Sequence, residues 1–211
     1  MNTPSALTAD DRRHLRRCVD LAAEALAAGD EPFGSVLVDA DGVERFADRN
    51  RVAGGDHTRH PEFEIARWAA AHLTPEERQE STTFTSGEHC AMCAAAHAWV
   101  GLGRIVYASS TAQLLQWQGE LGVPAGPVAP LRIPQVAPGI VVAGPDPELS
   151  AEVRALHVKA AGRGAVPLSA AGPPSSPRSA CPRAAGRCGP RRSTTSGRGS
   201  RPRPTRRSGR G

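Results

Sequence analysis

Every aspartate and glutamate of this chain lies between Asp10 and Glu152, and that boundary limits how much of it can fold. Residues 1–157 carry 13 arginines against 21 acids, a formal net of −8. Residues 158–211 carry 13 basic residues and no acid, a net of +13, so the overall +5 describes neither part. Beyond Val158 the hydrophobic periodicity stops, no aromatic residue follows Trp117, and Gly, Pro, Ser, Arg and Ala dominate. Such a segment buries too little apolar area to offset its chain entropy. The expectation is one folded domain over 1–157 and a disordered basic tail over 158–211. An acidic body repels a phosphate backbone, whereas the tail would attract one nonspecifically by counterion release. The tail's bias, with the chain's single lysine at Lys159, resembles GC-rich coding read out of frame.

The body has the rhythm of a layered α/β sheet. Leu15, Val19, Ala22 and Leu26 recur at helical spacing within residues 8–28, with Thr8 as a cap, Gly29 as a stop and Cys18 on the apolar face. Phe33–Asp39 reads as a strand, Asp41-Gly42 as a turn, and Val43–Asn50 as the returning hairpin arm. His60–Leu73 reads as a helix with Pro61 in its first turn and Phe63, Ala66, Ala70 and Leu73 on its apolar face. A short helix starts at Thr74-Pro75-Glu76-Glu77. Thr82–Ser86, Arg104–Ser109 and Ile140–Ala143 read as strands, and Cys90–Val100, Thr111–Leu121 and Pro147–His157 as helices. Strands separated by helices imply a sheet covered on both faces, with the strands at 104–109 and 140–143 able to run parallel. Trp68, Trp99 and Trp117 are expected in the core. No stretch approaches the roughly 20 apolar residues of a membrane span, and the N-terminus is polar, so a cytoplasmic protein is expected.

Two short groups carry the chemistry: His60-Pro61-Glu62, and Glu88-His89-Cys90-Ala91-Met92-Cys93. Zinc favours imidazole and thiolate, and a catalytic site uses three protein ligands with the fourth position left to water. His60, Cys90 and Cys93 supply three. Both groups begin predicted helices, where the dipole and free N–H groups favour thiolates. Zinc lowers the pKa of a water in its open position to about 7. Glu62 is therefore better placed to move protons than to bind metal, a contribution worth roughly 10²–10⁴ in rate.

These residues resemble the cytidine-deaminase-like superfamily, whose signature is His-x-Glu followed by Pro-Cys-x-x-Cys. The nearer likeness is to its branch of guanine deaminases, small nucleoside deaminases and tRNA adenosine deaminases. That branch runs like Pro-x-Gly-Ala-Val-Leu-Val, Asn, Asp-Pro-Thr-Ala-His-Ala-Glu and Thr-x-Glu-Pro-Cys-x-Met-Cys. This chain has Pro32-Phe33-Gly34-Ser35-Val36-Leu37-Val38, Asn50, Asp56-His57-Thr58-Arg59-His60-Pro61-Glu62 and Thr85-Ser86-Gly87-Glu88-His89-Cys90-Ala91-Met92-Cys93. The likeness spans roughly residues 10–157. It implies an α/β three-layer sandwich, a five-stranded mixed sheet between helices, usually in a homodimer or larger assembly. It also implies one catalytic zinc and a substrate hydrogen bond from Asn50. Phe33 would stack on a base or fill the core, and Glu88 is a further candidate substrate contact. Pro61 stands where alanine is usual, and His89, expected to face solvent, stands where proline is usual.

The reading is hydrolytic deamination of a small purine or pyrimidine base or nucleoside, guanine-like by preference, with release of ammonia. Its rivals are deamination of adenosine in tRNA, aided by the basic tail, and a non-catalytic zinc-stabilised module with a nucleic-acid-binding tail. A redox Cys-x-x-Cys pair would need no upstream His-x-Glu. A structural zinc would need a fourth ligand, for which His57 and His97 are the candidates. Cys181 and Cys188 have no matching ligand cluster around them.

Overall fold

The computed structural model describes residues 7–163. The chain order is α1 (Ala9–Ala27), β1 (Gly34–Val38), β2 (Glu44–Arg49), a 3-10 turn at Val52–Gly54, α2 (Pro61–His72), α3 (Pro75–Glu80) and β3 (Thr82–Gly87). It continues with α4 (Ala91–Val100), β4 (Arg104–Ser109), α5 (Thr111–Leu121), α6 (Ile133–Val136), β5 (Val142–Ala143) and α7 (Pro147–Ala161). The strands form one five-stranded sheet in the order β2-β1-β3-β4-β5. β1 pairs antiparallel with both β2 and β3, while β3–β4 and β4–β5 are parallel, so the sheet is mixed.

Both faces of the sheet are covered, as alternation along its strands requires. Val36, Val38, Phe84 and Val106 meet Leu15, Cys18, Val19 and Leu21 of α1 and Leu149 and Val153 of α7. On the other face Leu37 packs with Ile65, Ala66 and Ala69 of α2. Gly34 permits the close seat of α1, because a Cβ there would overlap Leu21 Cβ and the Cys18 carbonyl. The four-residue face foreseen for α1 is buried as a set, and Thr8 closes a capping box with Asp11. Asp11 also receives the Arg104 guanidinium at 2.9 Å, tying the start of α1 to the start of β4.

Several local expectations need correction. α2 buries Glu62, Ile65, Ala66 and Ala69, not the stripe through Phe63 and Ala70, and Ala70 is exposed. Positions 62, 65, 66 and 69 form an unbroken helical face, but a carboxylate on it disguises it as polar. Trp99 is 89% exposed, because α4 turns Cys93, Ala94 and His97 inward and leaves the following turn outside. Trp68 is half-buried, stacked between Phe46 and His72, whereas Trp117 is core. His89 is 1% exposed rather than solvent-facing. β5 has two residues where four were expected, and α6 was not foreseen. α7 runs four residues past His157, so Val158–Ala161 are helical; the basic segment from 164 onward, with Cys181 and Cys188, lies outside the described residues. Among the described residues no helix is long and apolar enough to cross a membrane.

Candidate active site

His60 and Cys90 occupy equivalent positions: each is the N-cap residue of its helix, α2 and α4 respectively, with extended backbone and no side-chain capping bond. Their side chains are therefore free to converge. His60 Nδ1 lies 3.7 Å from Cys90 Sγ and 3.6 Å from Cys93 Sγ, and the two sulfurs are 3.5 Å apart. A tetrahedral zinc with sulfur at about 2.3 Å and nitrogen at about 2.0 Å requires S–S and N–S edges of about 3.8 and about 3.5 Å. The triangle matches those edges to within a few tenths of an ångström, so these three residues fit the metal. Among the described residues they are also the group of His, Cys and carboxylate side chains close enough to share an ion. His57 is exposed, and His97 has its Nε2 2.9 Å from Gly103 O, so neither expected fourth ligand belongs to the cluster.

The electrostatics suit a metal corner. Contact with Cys93, then with His60, outweighs burial and lowers the Cys90 thiol to about 4. Burial disfavours the charged His60 ring, but the Cys90 contact and the Glu62 charge raise it to about 9. The neighbouring Cys90 and burial push Cys93 up. Zinc held by these three residues would need His60 neutral and both cysteines as thiolates, so its binding would release protons.

Glu62 belongs to the first turn of α2 and points into the sheet, 5% exposed. Burial pushes its carboxyl pKa up. Its Oε1 lies 2.8 Å from Thr85 Oγ1 and 3.1 Å from Ser35 Oγ, and its Oε2 lies 3.8 Å from Cys93 Sγ. Ser35 and Thr85 escaped sequence reasoning, although strand alternation places them on the α2 face.

Asn50 follows β2 and is fully buried. Its N–H donates to Phe33 O at 3.0 Å, and its side-chain Oδ1 accepts the Val52 N–H at 3.1 Å. The second bond fixes the amide orientation and leaves Nδ2 as a buried donor with no partner among the described residues. Phe33 is half-buried; its ring packs on Gly87 and meets His157 edge-on at 5.2 Å. Glu88 is differently employed. Its Oε2 accepts the Thr111 N–H at 2.8 Å and its Oε1 the Ile133 N–H at 3.0 Å. Both oxygens thus brace the segment before Cys90 against the starts of α5 and α6.

The His, Cys, Cys corner thus sits on a mixed five-stranded sheet with a buried carboxylate beside it, the makings of a metal centre with an acid–base group at hand. Residues 8–109 match the cytidine and deoxycytidylate deaminase zinc-binding region. A protein described as a probable cytosine deaminase, from Schizosaccharomyces pombe, is 32% identical over 116 residues, which are 55% of this chain and 70% of that protein. The guanine deaminase of Bacillus subtilis is 32% identical over 96 residues, 45% of this chain and 62% of that one. The structure of a guanine deaminase from Nitrosomonas europaea superposes with a TM-score of 0.58 at 23% identity, over 76% of this chain and 89% of that one, which bears on the fold. The chain belongs to the zinc-binding cytidine and deoxycytidylate deaminase family.

Proposed function

We propose that the domain hydrolyses the amino group of a small purine or pyrimidine base or nucleoside, guanine-like by preference, with Glu62 as proton shuttle. The observation that carries this reading is the buried Glu62 carboxylate, one oxygen toward the His60, Cys90, Cys93 corner and the other held by the sheet. Zinc in that corner would supply an acidified water as nucleophile. Glu62 Oε2 takes a proton from the attacking water, passes it to a ring nitrogen and then serves the departing amine. The balance is ring N=C–NH₂ plus water giving ring HN–C=O plus ammonia, one water proton staying on the ring nitrogen and the other leaving with the amine. Asn50 Nδ2 offers a fixed donor to an acceptor on the base, which orients the amino-bearing carbon. Phe33 supplies an apolar edge near that donor, and Glu88 acts as a brace rather than as the substrate contact first expected of it.

A small substrate is favoured over a tRNA loop by charge, since residues 1–157 carry a net −8. The two curated relatives are described as deaminases of free bases, cytosine and guanine. A homo-oligomer is also part of the reading: exposed Trp99 lies beside an apolar groove lined by Ala95, Ala98, Val136 and Ile140. The deciding experiment is ammonia release by the zinc-loaded chain from guanine, cytosine, adenine, their nucleosides and tRNA, with solution mass measured alongside. Release from a free base or nucleoside supports the reading. Release from tRNA alone overturns the substrate class, and none from any member of the panel overturns the activity.

A further inference from the structure

Ser35 and Thr85 are directly opposed on antiparallel β1 and β3, and both are fully buried. Alternation along a strand sends them to the same face, the one covered by α2 and Glu62. Their hydroxyls are 2.9 Å apart and lie 3.1 and 2.8 Å from one and the same atom, Glu62 Oε1. The other oxygen, Oε2, is the one 3.8 Å from Cys93 Sγ.

We propose that Ser35 and Thr85 act together as positioning residues that anchor one oxygen of the Glu62 carboxylate and so aim the other at the metal corner and the substrate. The inference rests on the reading of Glu62 as proton shuttle. A carboxylate terminus has a broad torsional profile, so the direction of its oxygens is loosely set unless one of them is anchored. Two hydroxyls on one oxygen fix the carboxylate plane and hold the other oxygen toward the corner. Each hydroxyl carries a single proton, and each has a second acceptor: Gly87 O at 3.0 Å for Thr85, and Thr85 Oγ1 for Ser35. Of these acceptors the ionised carboxylate makes the stronger bond, so Oε1 draws both protons. Orientation of a reacting group is worth large factors in rate because a small misplacement removes the near-attack geometry.

The test compares Ser35→Ala, Thr85→Val and Thr85→Ser in the zinc-loaded full chain, with guanine and cytosine as probes and Glu62→Gln as control. Zinc content and melting temperature are measured for each. Ser35→Ala and Thr85→Val are expected to lower kcat by about tenfold or more, with KM within about twofold and zinc retained. Thr85→Ser, which keeps the hydroxyl, is expected to hold kcat within about twofold of the original. Unchanged kcat in Ser35→Ala and Thr85→Val, with Glu62→Gln inactive, overturns the inference and leaves the Glu62 reading standing. A fully active Glu62→Gln overturns both. Loss of zinc together with kcat, or a Thr85→Ser as impaired as Thr85→Val, assigns the pair to packing and also overturns it. If Thr85→Val does not fold, Ser35→Ala and Thr85→Ser decide the matter by the same criteria.

Discussion

The imidazoles of His89 and His97 cross edge to face at 5.5 Å, both residues 1% exposed, and among the described residues only His97 Nε2 of their four nitrogens has a partner. That partner is the Gly103 carbonyl, so the neutral ring carries its proton on Nε2. Burial lowers the pKa of both rings, His97 to about 4.

Acid should therefore destabilise the domain through His97. Its folded pKa lies below the unfolded value of 6.5, so between 6.5 and about 4 the unfolded chain binds more protons. The stability is complete above 6.5 and is lost as pH falls toward 4, by about 3 kcal/mol. Denaturant unfolding at a series of pH values should show this slope reduced in His97→Gln. The difference between the two proteins isolates His97 from acid release of metal. Parallel pH profiles for wild type and variant would sink the assignment.

Glu62→Ala should keep zinc and fold while turnover falls by roughly 10²–10⁴, the usual worth of a positioned acid or base. Metal analysis and steady-state rates on the same preparation test it. A zinc deficit in that variant would make Glu62 a ligand instead of a shuttle.

Cys90→Ser and Cys93→Ser should each release the metal and lower the melting temperature, since a ligand bound only by the native state adds its binding free energy to folding. At a free metal concentration of 1,000 times Kd that is about 4 kcal/mol. A chelator should move the wild type toward the same melting temperature. Full zinc occupancy in both variants would place the metal elsewhere.

Glu88→Gln should cost about 2 kcal/mol of stability, because one amide NH₂ would replace an oxygen facing a backbone N–H of Thr111 or Ile133. Thermal unfolding reads the loss, and kinetics should show KM little changed at temperatures where the variant is folded. A large KM change with no loss of stability would make Glu88 a substrate contact after all.

A chain ending after Arg163 should retain zinc, melting temperature and activity on the small substrate, and should lose salt-sensitive retention on nucleic acid. Residues 164–211 carry 11 arginines and no acid, while α7 extends to Ala161. Ending the chain at His157 should be worse, since it removes the last turn of α7 and the contact of Arg163 with the Leu26 carbonyl. Equal stability of the two truncations would show that this turn contributes nothing.

The candidate ligands were legible in the sequence because their chemistry is local. A His-x-Glu and a Cys-x-x-Cys at helix starts state their atoms, their number and their likeness to a family; α1 announced itself through its cap and period, and α3 through its cap. What needed the tertiary structure was every property set by a neighbour distant in the chain. The buried face of α2 is fixed by Glu62 finding hydroxyls on β1 and β3, 27 and 23 residues away. His89 is inside because α4 folds His97 over it, and Trp99 is outside for the same helix rotation. Glu88 is a brace only because α5 and α6 bring two N–H groups to it. A single strand of sequence records which groups exist, but burial and hydrogen bonding depend on pairs, and those pairs exist only once the sheet and its helices have closed.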